Sequence, residues 1–154
     1  MRFNDNDNYG FILYQDALND MFSFHKRQVD KCGEPYYLHP LRIAAHFQEL
    51  NDADAAIVAC LYNLVEDTSC SLGYLEDRYP EGIVDAVDAI TRREDETYRQ
   101  YIKRLCHNDI ARRVKVEDIK DNLCSERIFT GAPLDRYYRT LGWIREYELT
   151  GKFE

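Results

Sequence analysis

The apolar residues of this chain recur with a helical period along almost its whole length. Such a period, near 3.6 residues with polar side chains in between, is typical of amphipathic helices. No run of residues alternates in the way that strands do. The pattern predicts an all-α fold of about eight helices, at residues 10–29, 39–50, 52–68, 71–79, 81–93, 97–106, 109–124 and 134–149.

Three segments carry further expectations. The segment at residues 52–68 is the most apolar, and we expect it at the centre of the core. The sequence FTGAP at residues 129–133 predicts a turn before the last helix. The sequence contains no repeats, linkers or low-complexity segments, so we expect residues 1–154 to form one domain. In the first helix the predicted apolar stripe comprises Ile12, Ala17, Leu18, Met21, Phe22 and Phe24.

The composition limits the classes of partner. A chain of 154 residues has the usual size of a single domain. Its formal net charge of −8 disfavours long nucleic acids, whose binding depends on neutralising phosphates with Lys and Arg. A local cluster of Lys and Arg can still hold a small phosphorylated ligand on an acidic protein.

The sequence also indicates where the protein is located and whether it has disulfides or a zinc site. No run of about 18 apolar residues is present, so no membrane span is predicted. The first residues are polar and lack a signal-peptide core, which predicts a cytoplasmic protein. The five cysteines are odd in number and none are spaced as CxxC, which disfavours a disulfide framework or a structural zinc site.

Polar residues interrupt the apolar pattern of residues 52–68. Tyr62 and Glu66 are four positions apart, as are Asn63 and Asp67, so each pair shares a helix face. The alternative is that Glu66 and Asp67 simply end a helix in solvent.

A second polar stripe lies on the helix at residues 109–124. The spacing of Lys115, Asp118 and Asn122 places them on one face. Together the two stripes predict a shared polar cleft. The alternative is that Asp118 pairs with a neighbouring lysine.

Three motifs carry a resemblance to a known family: DKCGEPYYLHPLRIA at residues 30–44, LVEDT at 64–68 and RRVKVEDIKDNL at 112–123. In them the chain resembles the HD-domain alarmone hydrolases, the (p)ppGpp 3′-pyrophosphohydrolases of the RelA/SpoT type. It resembles short bacterial and phage HD proteins more closely still, through residues 29–42 and 91–104. The resemblance extends over about residues 11–147. It implies a single HD-domain helical bundle with its core in that range.

The family's chemistry needs one divalent cation, usually Mn²⁺. Its ligands are the His of an HP step, the His and Asp of an HD step, and an Asp on a late helix. The resemblance assigns His39 to the first position and Asp118 to the last. At the HD step, Tyr62 and Asn63 stand in place of His and Asp.

These two substitutions weaken the predicted metal site. The pKa of a phenol is about 10, so Tyr62 is neutral at pH 7, and the amide of Asn63 brings no charge to a cation. We therefore expect His39 and Asp118 to be a remnant site without a metal, and we predict no cofactor. If the chain is an enzyme, the expected cofactor is Mn²⁺ or Mg²⁺.

A nucleotide ligand would need cationic and aromatic side chains around the cleft. The resemblance directs Lys31 towards the substrate and puts Asn122 one turn beyond the last metal ligand. Asp30 stands where the long alarmone enzymes have an Arg that stacks on guanine. The alternative for most of the twelve tyrosines is a half-buried place in the core. The predicted ligand-binding residues are Lys31, Tyr62, Asn63, Arg92, Tyr98, Lys115 and Asn122.

Three functions stay open at this point. The first is a protein that binds a nucleotide or phosphorylated signal, as a sensor or a sponge, and is catalytically inactive or weak. The second is a metal-dependent (p)ppGpp-like nucleotide pyrophosphohydrolase, in which Glu66 and Asp67 are catalytic. The third is a protein-interaction module. The aromatic last helix also favours a homo-oligomer.

Overall fold

The computed structural model describes residues 5–124 and 131–153. Within these ranges the chain is helical, with no strand and one isolated bridge between Val29 and Pro35. The all-α prediction is confirmed, and no helix in these ranges is long and apolar enough to cross a membrane. The described helices are α1 (Asp5–Phe24), α2 (Leu38–Glu49), α3 (Ala53–Leu61), α4 (Leu64–Asp67), α5 (Leu72–Glu76), α6 (Glu81–Ile90), α7 (Tyr98–Cys106), α8 (Asp109–Asn122) and α9 (Leu134–Thr150).

α3 forms the centre of the core, as its apolar content predicts. Every residue from Ala55 to Leu61 is buried, and α3 packs against α1, α2, α6 and α8. A helix that is apolar on all faces is stable only when other elements cover it. The Asp52 side chain caps its start by accepting a hydrogen bond from the Ala55 N–H at 3.1 Å.

The structure divides the helix predicted at residues 52–68 in two. α3 ends one residue before Tyr62, and α4 begins one residue after Asn63. Tyr62 still donates its N–H to the Val58 carbonyl at 2.9 Å. Asn63, with φ −92° and ψ −5°, lies at the edge of the helical region. The prediction of one uninterrupted helix is therefore wrong at Tyr62 and Asn63.

α1 differs from its prediction in extent and in the face that it buries. It begins and ends five residues earlier than the pattern predicts. Ala17 and Met21 of the predicted stripe are buried, but Ile12 and Phe22 are 48% and 40% exposed, and Leu13 is buried instead. The difference arises because α1 packs chiefly against α3, which covers only one side of it.

The turn predicted at residues 129–133 is described from Gly131 onward, and Phe129 and Thr130 lie outside the described residues. Gly131 has a φ of 89°, a conformation that glycine adopts without strain. α9 begins three residues later, at Leu134.

α2 and α8 present matching pairs of residues to each other. His39 lies in the first turn of α2, with Arg42 three positions on, and Asp118 and Asp121 have the same spacing on α8. Because residues three apart share a helix face, both pairs meet where α2 packs against α8. α3 packs against both helices, and its end brings Tyr62 to the same place.

Candidate functional site

His39, Tyr62 and Asp118 form a buried hydrogen-bonded cluster where α2, α3 and α8 meet. Their exposed fractions are 8%, 3% and 7%. The Tyr62 hydroxyl donates to Asp118 Oδ1 at 2.6 Å and lies 2.8 Å from His39 Nε2. His39 Nε2 is also 2.8 Å from the same carboxylate oxygen. The two residues that were predicted to form a remnant metal site are thus bonded to each other and to the phenol of Tyr62.

A second layer of charges supports the cluster. Asp121 Oδ2 lies 2.6 Å from His39 Nδ1, and Arg42 donates two hydrogen bonds to Asp121, both at 2.9 Å. Lys115 Nζ lies 3.2 Å from Asp118 Oδ2. The alternative prediction that Asp118 pairs with a neighbouring lysine is therefore confirmed. The pair of Arg42 with Asp121 was not predicted, although their spacing from His39 and Asp118 was a signal for it.

The pKa values of the cluster follow from burial and from paired charges. Burial lowers the pKa of His39, but its bonds to Asp118 and Asp121 outweigh this and raise that pKa to about 9. Burial raises the pKa of Asp118, yet the charge of Lys115 and the bond with His39 hold it well below its usual range. Burial and the nearby Asp118 raise the pKa of Tyr62 well above its ordinary value. At neutral pH the cluster therefore contains an imidazolium, a carboxylate and a neutral phenol.

These protonation states fit a divalent cation poorly. A metal binds the unprotonated nitrogen of an imidazole, whereas both ring nitrogens of His39 face carboxylate oxygens. The Tyr62 proton is donated to Asp118. Binding would have to remove protons from two groups whose pKa values are raised. In residues 5–124 and 131–153, no group of three or more His, Cys, Asp or Glu side chains is placed to hold a metal ion.

Asn63 is hydrogen-bonded to a neighbouring aromatic residue, and its side chain also interacts with Tyr62 of the cluster. Its amide N–H donates to the Tyr36 hydroxyl. The Tyr36 ring lies 4.7 Å from the ring of the buried His25, and His25 Nδ1 lies 2.9 Å from Gln28 Oε1. An aspartate at this position could only accept a hydrogen bond from Tyr36, whereas the amide of Asn63 can donate one to it.

A cavity of about 350 Å³ opens beside the cluster. This volume lies at the lower end of the range for small-molecule pockets, about 300–1,000 Å³. His39 and Asp118 contribute to its wall, and so do two of the predicted ligand-binding residues, Lys31 and Asn122. The described wall also contains Gln28, Val29, Asp30, Cys32, Tyr36, Arg42, Asp121 and Tyr137.

The other predicted ligand-binding residues lie outside the described wall of this cavity. Tyr62 and Lys115 are held in the cluster, and Asn63 by Tyr36. Arg92 and Tyr98 form a separate stack, with the guanidinium carbon 5.5 Å from the ring centre. The guanidinium of Arg136, on α9, lies 4.7 Å from the same ring.

Glu66 and Asp67 are exposed at the end of α4. Their exposed position agrees with the alternative that they end a helix in solvent. They are nevertheless close enough to the cluster to be affected by it. Partial burial is the main cause of the raised pKa of each carboxyl, and the negative charge of Asp118 contributes to both. Glu66 also accepts a hydrogen bond from the backbone N–H of Arg92.

Comparison with known proteins places this geometry in a family. The model of the HD domain family matches residues 17–118, about two thirds of the chain. The chain is 29% identical over 114 residues to a guanosine-3′,5′-bis(diphosphate) 3′-pyrophosphohydrolase of Aquifex aeolicus, covering 68% of this chain and 16% of that protein. It is 33% identical over 72 residues to a probable enzyme of the same name from Synechocystis, covering 46% and 10%. The probable enzyme from Mycoplasma pneumoniae is 30% identical over 89 residues, covering 57% and 12%. This chain thus spans less than a fifth of the length of these relatives.

Proposed function

This chain belongs to the HD domain family, and on that basis we propose that it binds a nucleotide or related phosphorylated signal without cleaving it. It would act as a sensor, or as a sponge that removes the signal from solution. The observation that carries the proposal is the direct bonding among His39, Tyr62 and Asp118. The cavity beside them and the names of the relatives, which are hydrolases of a guanosine nucleotide, support a nucleotide as the ligand.

The proposal excludes cleavage on physical grounds. In metal-dependent hydrolysis a bound cation lowers the pKa of a water molecule and polarises the phosphoryl group. In this chain the Tyr62 hydroxyl and the His39 ring direct their protons to Asp118 and Asp121. Without a cation, a bound water keeps nearly its ordinary pKa. The site would then hold its ligand without supplying a nucleophile.

A panel of candidate ligands, measured for both binding and turnover, tests the proposal. Nucleosides, nucleoside mono- and polyphosphates, ppGpp, NADPH and cyclic dinucleotides are added to the full chain with EDTA or with Mn²⁺. Binding is followed by thermal unfolding, because a ligand that binds only the native state stabilises it. We expect at least one stabilising ligand in EDTA and no release of phosphate or pyrophosphate in either condition. Turnover with Mn²⁺ would overturn the proposal. Stabilisation by no compound would also overturn it, and would support a protein-interaction module.

A metal-dependent nucleotide pyrophosphohydrolase is the second candidate function. It is favoured by the exposed Glu66 and Asp67, whose raised carboxyl pKa values suit a general base. These two residues, with His39 and Asp118, would then hold Mn²⁺ or Mg²⁺, assisted by Asn63. The double variant Glu66→Gln with Asp67→Asn separates the two candidate functions. If the chain is a hydrolase, the variant should lose turnover. If the chain only binds its ligand, the ligand should still stabilise the variant against thermal unfolding.

A further inference from the structure

The charges beside the cavity are already engaged with one another. Asp121 receives both bonds of the Arg42 guanidinium, and Asp118 pairs with Lys115. The two ring nitrogens of His39 face the same two carboxylates, Nδ1 that of Asp121 and Nε2 that of Asp118. A phosphate entering the cavity would therefore have to compete with protein carboxylates for these cations.

Asp30 adds a further negative charge to the wall. Its Oδ1 accepts hydrogen bonds from the backbone N–H groups of Cys32 at 2.8 Å and Glu34 at 3.0 Å. These bonds fix the carboxylate in the turn before α2, within the cavity wall. No described residue donates to its other oxygen, Oδ2. A charged acceptor is thus available for the N–H or O–H donors of a ligand.

The balance of charge in the described wall does not favour a polyanion. Its three carboxylates, from Asp30, Asp118 and Asp121, face two permanently cationic side chains, Lys31 and Arg42. The balance is therefore not positive even when His39 is counted as charged. A pyrophosphate group carries several negative charges close together, and like charges at short range repel.

The uncharged residues of the cavity wall suit the base of a nucleoside better than a chain of phosphates. The rings of Tyr36 and Tyr137 offer aromatic faces for a base. The side-chain amides of Gln28 and Asn122 can both donate and accept hydrogen bonds along its polar edge. The volume of about 350 Å³ is also small for a pocket that binds a large ligand.

We infer that the cavity takes a nucleoside or nucleoside monophosphate, and that Asp30 selects it by accepting hydrogen bonds from the base or the ribose. The inference rests on the proposed function. It replaces nucleotides in general with a nucleoside or its monophosphate, and it excludes compounds with a pyrophosphate group. Asp30 is then a specificity-determining residue, and its carboxylate acts in two ways. It binds donor groups of the nucleoside and repels a chain of phosphates.

Calorimetric titration of the full chain in EDTA at low salt tests this inference. Guanosine and GMP are compared with GDP and ppGpp, and adenosine and AMP with ADP. In at least one base series, the nucleoside or the monophosphate should bind at least about tenfold more tightly than the pyrophosphate forms. Asp30→Asn retains an oxygen for the two backbone N–H groups but removes the charge. It should weaken binding of that ligand about tenfold, as expected for loss of a charge-assisted hydrogen bond.

Glu34→Gln is the matched control, because it makes the same change of charge in the same turn at a residue outside the described wall. It should leave the affinity and the preference unchanged. Tighter binding of GDP, ADP or ppGpp would overturn the inference and leave the proposed function standing. An Asp30→Asn variant whose affinity and ligand preference are unchanged, as expected for Glu34→Gln, would also overturn the inference and leave the proposed function standing. Binding of no compound in either series would overturn the inference, and the wider ligand panel would then decide whether the proposed function stands.

Discussion

Tyr62 connects three helices through one hydroxyl group. At the end of α3 it donates to Asp118 of α8 and lies beside His39 of α2. Asp118 is 7% exposed, so water cannot readily replace a lost donor. Leaving a buried polar group without its partner costs about 1–3 kcal/mol, and more when the group is charged. We therefore expect the Tyr62 hydroxyl to contribute to the stability of the fold.

Replacing Tyr62 by Phe should lower the free energy of unfolding by about 1–3 kcal/mol, because the ring is kept and only the hydroxyl is lost. Urea denaturation followed by far-UV circular dichroism measures this change. Tyr138→Phe is the matched control, since Tyr138 is 63% exposed, and its effect should lie within about 0.5 kcal/mol. Equal effects of the two variants would contradict the stabilising role of the Tyr62 hydroxyl.

Some residues of the site could be predicted from the sequence and others could not. His39 and Asp118 were found because each lies in a local motif. Asp121 and its pair with Arg42 were missed because the helix at residues 109–124 carries many charges, and local spacing does not identify the one that faces α2. That choice depends on how α2 and α8 pack, which is a long-range property of the fold.

Local periodicity predicts helices better than it predicts their interruptions and covered faces. The apolar pattern continues through residues 52–68, so it gives no sign of the break. The break instead coincides with bonds from Tyr62 to α8 and from Asn63 to Tyr36. In α1, the pattern identified apolar residues but not which of them a neighbouring helix covers. In both helices tertiary packing overrides the local signal.

The segment that connects α6 to α7 is held by an ion pair. Arg104 donates two hydrogen bonds to Glu96, at 3.1 and 2.6 Å, and one to the Thr91 carbonyl at 2.8 Å. The same segment contains Arg92, whose backbone N–H is bonded to Glu66. The ion pair thus fixes an element that contacts one of the two predicted catalytic carboxylates.

The contribution of this ion pair should depend on pH. Arg104 lowers the pKa of Glu96 in the folded chain. A lowered folded pKa stabilises the protein above the unfolded pKa, about 4.3 for Glu, and this stability is lost as pH falls through the folded pKa. Glu96→Gln should therefore lower the free energy of unfolding at pH 7 and make progressively less difference below about pH 4.

Urea denaturation at a series of pH values tests this expectation, with Glu94→Gln as the control. Glu94 lies on the same segment and is exposed, so its replacement should have little effect at any pH. A destabilisation by Glu96→Gln that is equally large at pH 7 and pH 3 would show that packing, and not the charge of Glu96, is responsible.

At the scale of the whole molecule, the helical bundle contains a cavity beside the cluster of His39, Tyr62 and Asp118. α2 and α8 contribute to its described wall, and α3 packs against both of these helices. The cluster bonds the three helices to one another. The net charge of −8 is spread over the molecule, whereas the charges beside the cavity are arranged in pairs. This pairing of charges is consistent with the proposed binding of a small ligand.

Mn²⁺ binding to the unmodified chain and to the double variant Tyr62→His with Asn63→Asp tests the central claim most directly. The double variant restores a set of two imidazoles and two carboxylates, with His39 and Asp118 as the other two ligands. Electron paramagnetic resonance of the free ion gives the amount bound at micromolar Mn²⁺. We predict well under one equivalent per chain for the unmodified protein and close to one for the double variant. Close to one equivalent bound by the unmodified protein would contradict the account.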